Sequence, residues 1–225
     1  MPMPSAPSAK GRTRSDYGKE DPYRRAGIRG GTNLQALIDA EKGGILKDGE
    51  IVLVISNRAD AYALERAEKA GIRHTVITRK AAGSQEAFED RIMAALEKAK
   101  IELIVLAGFM SILSERFTSA YDHRILNVHP SLIPSFCGEG MYGLRVHEAA
   151  LKKGVKVTGA TVHFVNEIPD GGEILLQKAV RIRDNDTPER LQKRVMKQAE
   201  WIILPRACQL VSERMRMQRA ERRTV

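Results

Sequence analysis

Cysteine is nearly absent. Cys137 and Cys208 are the only two, too few for a disulfide framework or a cysteine-based metal cluster, and they fit a reducing cytoplasm. Aromatic residues make up 5% of the chain, and only Tyr17 and Tyr23 fall among the basic clusters. A stacking platform for single-stranded nucleic acid is therefore missing. No apolar run approaches the ~20 residues that span a bilayer. The opening Met1-Pro2-Met3-Pro4-Ser5-Ala6-Pro7 has no hydrophobic segment of the kind a secretory signal needs. Charge is out of balance instead, with 37 Lys and Arg against 28 Asp and Glu, a net +9. The excess crowds into residues 1–30 and into Arg214, Arg216, Arg219, Arg222 and Arg223. That placement argues against a nucleic-acid surface and leaves anionic small molecules as the partners the charge suits.

What is present suits one α/β domain: 225 residues, 43% of them hydrophobic. Residues 1–29 are rich in Pro, Ser, Gly and basic residues without apolar periodicity, which predicts a disordered segment. The folded domain is expected over residues 30–212, followed by a basic tail over 213–225. Ile51 to Ile55 and Leu103 to Ala107 are near-continuous apolar runs, read as strands buried on both faces. Between them, Ala61 to Ala70 is helical, His74 to Thr78 is a short strand, and Ser84 opens a helix. That helix presents Phe88, Ile92, Ala95, Leu96 and Ala99 on one face. A short helix near Ser114 to Ala120 precedes another strand. The β-α-β-α-β alternation predicts a Rossmann-like, doubly wound, mainly parallel sheet, with ligands beyond the carboxyl ends of its strands. Further on, the glycines of Ser135 to Leu144 predict a mobile loop. Helix 146–153, strands 158–165 and 173–180, and a last helix capped by Thr187-Pro188 complete the chain, with Pro205 expected to kink that helix.

Ile125-Leu126-Asn127-Val128-His129-Pro130 carries the chemistry. Pro130 holds His129 extended, so Asn127 and His129 leave the strand by one face. An amide donor beside an imidazole suits acyl transfer: one bonds a developing oxyanion, the other moves a proton near neutral pH. The same pair also suits a strand end that bonds its own turn. Asp170, in Ile168-Pro169-Asp170-Gly171-Gly172, has the chemistry of a turn former. His163 reads as a core or supporting histidine, and Cys137 has no base nearby in sequence. Gly30-Gly31 before an amphipathic helix would let backbone amides approach a phosphate at the helix N-terminus.

Five segments occur in order: Gly30 to Asp39, Leu106 to Leu113, Asn127 to Pro134, Thr158 to Val165, and Asp170-Gly171-Gly172. Together they resemble the phosphoribosylglycinamide formyltransferase family from about Gly30 to Arg206. The resemblance implies the formyltransferase fold and transfer of a formyl group from 10-formyltetrahydrofolate, as cosubstrate, to the amine of phosphoribosylglycinamide in purine synthesis. It implies Asn127, His129 and Asp170 as the catalytic trio. It implies a substrate phosphate on Gly31, Thr32 and Asn33, with Lys197 and Glu200 in the same pocket. It places the folate against Met110, Ser111, Ile112, Leu113 and the turn Asn166, Glu167, Ile168, Pro169. No metal is implied, nor a nucleic-acid or membrane partner. Hydrolysis of formyltetrahydrofolate by the same trio, or an inactive relative, are the alternatives; the hydrolases carry an extra N-terminal domain that this sequence lacks.

The front of the chain departs from the family. Where the family has an apolar strand, roughly Ala-Val-Leu-Val-Ser-Gly, this sequence has Arg24-Arg25-Ala26-Gly27-Ile28-Arg29, whose arginines are unsuited to a strand buried on both faces. Codons exist for those six residues that, read one base later, encode Ala-Val-Leu-Val-Ser-Gly, and one extra G restores the frame at Gly30. Lys19 to Arg24 reread in the same way gives Lys-Ile-Arg-Ile. Residues 1 to about 29 are therefore expected to be an out-of-frame translation, with the first strand missing.

Overall fold

The structure, a computed structural model, describes residues 31–109 and 111–224. The expected disordered segment, the missing first strand and the folate contact of Met110 all lie outside the described residues.

Helix α1 (Thr32–Lys42) begins at Gly31, whose φ of 54° is in the left-handed region. Strand β1 (Leu53–Ser56) leads to helix α2 (Tyr62–Lys69) and strand β2 (Arg73–Val76), then to helices α3 (Arg79–Ala82) and α4 (Gln85–Lys98). Strand β3 (Ile104–Leu106), helix α5 (Glu115–Ala120) and strand β4 (Ile125–His129) follow. Helix α6 (Leu144–Lys153), strands β5 (Val157–Phe164) and β6 (Ile174–Arg181) and helix α7 (Pro188–Val195) come next. A π turn (Met196–Glu200) joins α7 to α8 (Trp201–Thr224). Ser84, Ser114 and Thr187 cap α4, α5 and α7, each side chain accepting a hydrogen bond from the amide three residues on. This satisfies one of the donors left open in a first turn.

Among the described residues the strands form two sheets. β1 and β2 pair in parallel; the other sheet has the order β3-β4-β5-β6. β3 and β4 are parallel, while β5 runs antiparallel to both β4 and β6. A hydrophobic cluster lies on each face. One joins Leu126, Val128 and Val162 to Leu204, Ala207 and Val211 of α8. The other joins Phe88, Ile92 and Leu96 of α4 to Phe117 and Ile125. Cys208 is part of the first, and burial pushes its thiol up to about 12, so it behaves as a small apolar side chain.

One expectation needs correction, and two others gain detail. Residues 52–55 and 103–106 are half-buried rather than buried, and Ala107 is exposed, because β1 and β3 border an open cleft of about 520 Å³. The basic stretch from residue 213 continues α8, which runs to Thr224, and Arg216 and Arg219 pair with Asp48 and Glu102 at 2.7 and 2.9 Å. Pro205 lies within α8, and the interruption falls before Trp201 as the π turn.

Candidate active site

Strand β4 presents Ile125, Asn127 and His129 on one face and Leu126 and Val128 on the other, the alternation of an extended chain. Antiparallel pairing sets His163 opposite Asn127 and Thr161 opposite His129. Thr161 secures the turn after His129: its hydroxyl donates to the Ser131 carbonyl at 2.7 Å and accepts from the Ile133 amide at 3.1 Å.

Asp170 reaches this strand from the turn after β5. Its φ is 55°, a left-handed conformation that Asp tolerates better than most residues. Two glycines let the turn close. A Cβ on Gly171 would lie 2.6 Å from Ile168 Cγ2, and one on Gly172 only 1.9 Å from the Phe164 carbonyl oxygen. Asp170 Oδ2 then sits 3.3 Å from His129 Nδ1 and accepts from the Gly138 amide at 2.9 Å. Its Oδ1 is 3.5 Å from His163 Nε2. His163 Nδ1 donates to the Phe164 carbonyl at 2.7 Å. With the Nδ1 proton so placed, Nε2 is the acceptor facing Asn127 Nδ2 at 3.2 Å. This fixes the Asn127 amide and leaves its second N–H for a ligand.

The trio stands assembled, as the resemblance implied, but its electrostatics come from more than three residues. Burial raises the pKa of Asp170. The neighbouring His163, the His129 ring and the Gly138 amide together outweigh it and hold the carboxyl below its ordinary range. The Gly138 amide is the firm bond of the three; the His163 approach is at the limit of hydrogen-bond length. His129 is held below its usual value, because burial outweighs the pull of Asp170 and of the Phe136 carbonyl. Its two ring nitrogens face two acceptors, Asp170 Oδ2 and the Phe136 oxygen, the latter 2.9 Å from Nε2. A neutral imidazole has one N–H for both, so a second proton delivered to the ring finds a partner ready.

The loop expected to be mobile is tied down here. Phe136 contacts His129, Gly138 contacts Asp170, and Ser131 Oγ donates to the Ser135 carbonyl at 2.5 Å. Cys137 lies in the same loop; burial and then Asp170 push its thiol upward, which keeps it protonated and unreactive, as its sequence context suggested.

At the start of α1 no side chain caps the helix and no acidic residue stands in its first turn. The open amides and the positive end of the dipole suit a phosphate. Asn33 Nδ2 donates to Glu200 Oε2 at 2.9 Å, joining this end of α1 to the π turn. Glu200 is 7% exposed, and burial raises its carboxyl to about 7 against the opposing Asn33 bond.

Residues 26–208 match the family model described as formyl transferase. The phosphoribosylglycinamide formyltransferase of Haemophilus influenzae is 43% identical over 175 residues, which are 78% of this chain and 79% of that one. The chain belongs to the phosphoribosylglycinamide formyltransferase family. It is 47% identical over 182 residues to the trifunctional purine biosynthetic protein adenosine-3 of Gallus gallus, 81% of this chain but only 17% of that much longer one. Among solved structures, the phosphoribosylglycinamide formyltransferase of Brucella melitensis superposes with a TM-score of 0.74 at 46% identity, covering 81% of this chain and 91% of that one. Glycinamide ribonucleotide transformylase 1 from Symbiobacterium toebii gives 0.76 at 41%, covering 82% and 84%.

For a member of the phosphoribosylglycinamide formyltransferase family, the remaining sequence-predicted residues divide as follows. Gly31, Thr32 and Asn33 form the uncapped helix start. Lys197 and Glu200 both lie in the π turn, Lys197 exposed and Glu200 buried. Ile112 and Ile168 are 62% and 57% exposed, and Pro169 and Glu167 are exposed with them. Ser111 and Asn166 are half-buried, Asn166 Oδ1 accepting from the Ile168 amide. Leu113 packs into the α4 core instead, at 6% exposure. Sequence reading left out the Phe136 carbonyl and the Gly138 amide, for which side-chain identity carries no signal. It kept His163 in a supporting role, and the bond to Asn127 makes that role specific.

Proposed function

We infer that this chain transfers a formyl group from 10-formyltetrahydrofolate to the amine of phosphoribosylglycinamide in purine synthesis. The observation that carries the reading is the linked set Asn127–His163–Asp170–His129, in a chain whose α1 N-terminus is left uncapped. The folate, when bound, supplies an activated one-carbon acyl group. Ile168 and Pro169, exposed next to Asp170 in the chain, and the exposed Ile112 are the apolar side chains that this reading offers to a heteroaromatic ring. Asn127 gives its second N–H to the formyl oxygen as negative charge grows there, a contact worth ~3–4 kcal/mol for a typical oxyanion donor. His129 takes the proton released by the attacking amine and returns it to the leaving nitrogen. Asp170 fixes the ring and favours its charged state while it holds that proton. The amides of Gly31, Thr32 and Asn33 hold the phosphate, with Lys197 and Glu200 at the same end.

This reading takes small molecules as the partners, in the cytoplasm, with no part for nucleic acid, membrane or metal. Among the described residues no helix is long and apolar enough to cross a membrane. No group of His, Cys, Asp and Glu among them is placed to hold a metal ion.

The test is formyl transfer to phosphoribosylglycinamide, followed by loss of the formyl donor. Formate release that needs no acceptor amine would instead establish hydrolysis. Lys197→Glu separates the two substrates: KM for the ribonucleotide should rise severalfold as attraction for the phosphate becomes repulsion, with KM for the folate unchanged. Equal rises for both would mean damage to the π turn rather than a lost phosphate contact.

A further inference from the structure

Residues 111–114 carry the exposed Ile112 but have no regular structure of their own. Among the described residues, no backbone hydrogen bond joins Ser111, Ile112 or Leu113 to another stretch of main chain. An irregular segment keeps one shape only if side chains hold it. Two residues one turn apart on α4 do so. Gln85 Nε2 donates to the Ile112 carbonyl at 3.2 Å and to Glu89 Oε1 at 2.6 Å. Both partners are acceptors, which fixes the orientation of that amide. Glu89 Oε1 also accepts from the Ser114 amide at 2.8 Å, and Glu89 Oε2 from the Ser114 hydroxyl. Between these ties Leu113 is sunk in the α4 core.

Glu89 is fully buried, a costly place for a carboxylate unless its lone pairs are filled. Burial alone would raise its pKa. The hydroxyl and amide of Ser114, then Gln85 and Arg116, outweigh it and hold the carboxyl below its ordinary value. The charge is not needed to start α5, because the Ser114 hydroxyl itself accepts from the Phe117 amide at 3.3 Å. What the carboxylate adds is a fixed link from α4 to the segment that carries Ile112. Without that link, an apolar side chain at the surface would gain by folding inward.

We propose that Glu89, working through Gln85 and Ser114, is a positioning residue for the folate: it holds Ile112 and its backbone outward in the shape the folate binds, and touches neither substrate. The proposal rests on the reading that residues 111–113 receive the folate. A contact surface binds well when its shape is fixed beforehand, since ordering a loose segment subtracts from affinity. The ribonucleotide end of the site is built on other elements, the start of α1 and the π turn, joined by the Asn33–Glu200 bond. A change at Glu89 should therefore separate the two substrates.

The test measures the binding of each substrate by calorimetry, with thermal melting alongside, in the full chain and in two variants. Glu89→Gln keeps the size of the side chain, removes the charge and leaves one acceptor oxygen where there were two. It should weaken binding of 10-formyltetrahydrofolate about tenfold, the loss of one charged hydrogen bond, and leave the ribonucleotide Kd within about twofold. Gln85→Met, at a half-buried position, removes the bond to the Ile112 carbonyl. It should shift folate binding the same way by about threefold, a neutral bond being weaker. A lower melting temperature with folate binding unchanged would make Glu89 a merely structural residue and overturn the proposal. Equal weakening of both substrates would overturn it too, as damage to the whole domain. Should Glu89→Gln fail to fold, Gln85→Met decides alone, by whether folate binding moves. A parent chain that binds the folate without transferring its formyl group would sink the functional reading and leave this comparison intact; one that binds no folate would sink both.

Discussion

Asn127→Ala should lower kcat at least about a hundredfold while leaving both KM values within a few-fold, the mark of a contact made in the transition state and not in the ground state. His129→Ala should do at least as much, since positioned acid–base groups contribute ~10²–10⁴. The double variant should be little slower than the slower single, because the two act on one event. Asp170→Asn adds a second readout. Burial already holds His129 below its ordinary pKa, and Asp170 is the nearest group pulling the other way. Removing that carboxylate lowers the His129 pKa further. The acid limb of kcat, measured with both substrates saturating, should then move to lower pH as well as the maximum falling. An unmoved limb would show that Asp170 does not face His129 in the working enzyme, and near-normal turnover for His129→Ala would remove the imidazole from the chemistry.

Stability should respond to pH through two buried groups with opposite signs. His147 is fully buried and neither ring nitrogen has a hydrogen-bond partner. Burial, and then the neighbouring His129, lower its pKa from 6.5 to about 4. The unfolded chain takes up this proton below about pH 6.5 and the folded chain refuses it. The neutral His147 therefore contributes stability fully above pH 6.5 and loses it as pH falls towards 4. Glu200 is the reverse. Burial raises it to about 7, so its contribution is full below about pH 4.5 and disappears as pH rises through 7. At ~1.4 kcal/mol per pH unit, each is worth ~3 kcal/mol across its window.

Between pH 4.5 and 6.5 the two slopes oppose each other, since folding expels one proton and takes up the other. The chain itself should show little change in denaturant midpoint from this pair over that range. His147→Leu should expose the Glu200 slope and become more stable as pH falls. Glu200→Gln should expose the His147 slope and become less stable by a similar amount. Two variants that both keep the parent pH profile would refute the assignment of either proton.

The catalytic strand was legible because local rules agree there. Period-two alternation puts Asn127 and His129 on one face, and Pro130 ends the strand at the point where a ligand can reach them. Asp170 was legible only as a turn residue. Its approach to His129 depends on β5 pairing with β4 in a register fixed by residues far apart in sequence. The Asn127–His163 bond has the same origin, so no window of sequence contains it. Backbone partners, Gly138 and Phe136, leave no trace in side-chain identity. The strands at 51–55 and 103–107 were recognised by their β-branched runs, and among the described residues each pairs along one edge, so their faces are half-buried.

Lys197 and Glu200 both lie in the π turn, which sets the phase of the whole carboxyl-terminal helix. Each residue of an α-helix advances the face by about 100°, so one residue held in a wider turn resets the phase of all that follows. Leu191 and Val195 before the turn, and Leu204, Ala207 and Val211 after it, nonetheless meet the same core. Removing a single residue from Met196–Glu200 would straighten the helix and swing Leu204, Ala207 and Val211 off that core together. The turn that brings a carboxyl group to the start of α1 is thus also the clutch that keeps two lengths of helix meshed with one sheet, and neither role can be lost without the other.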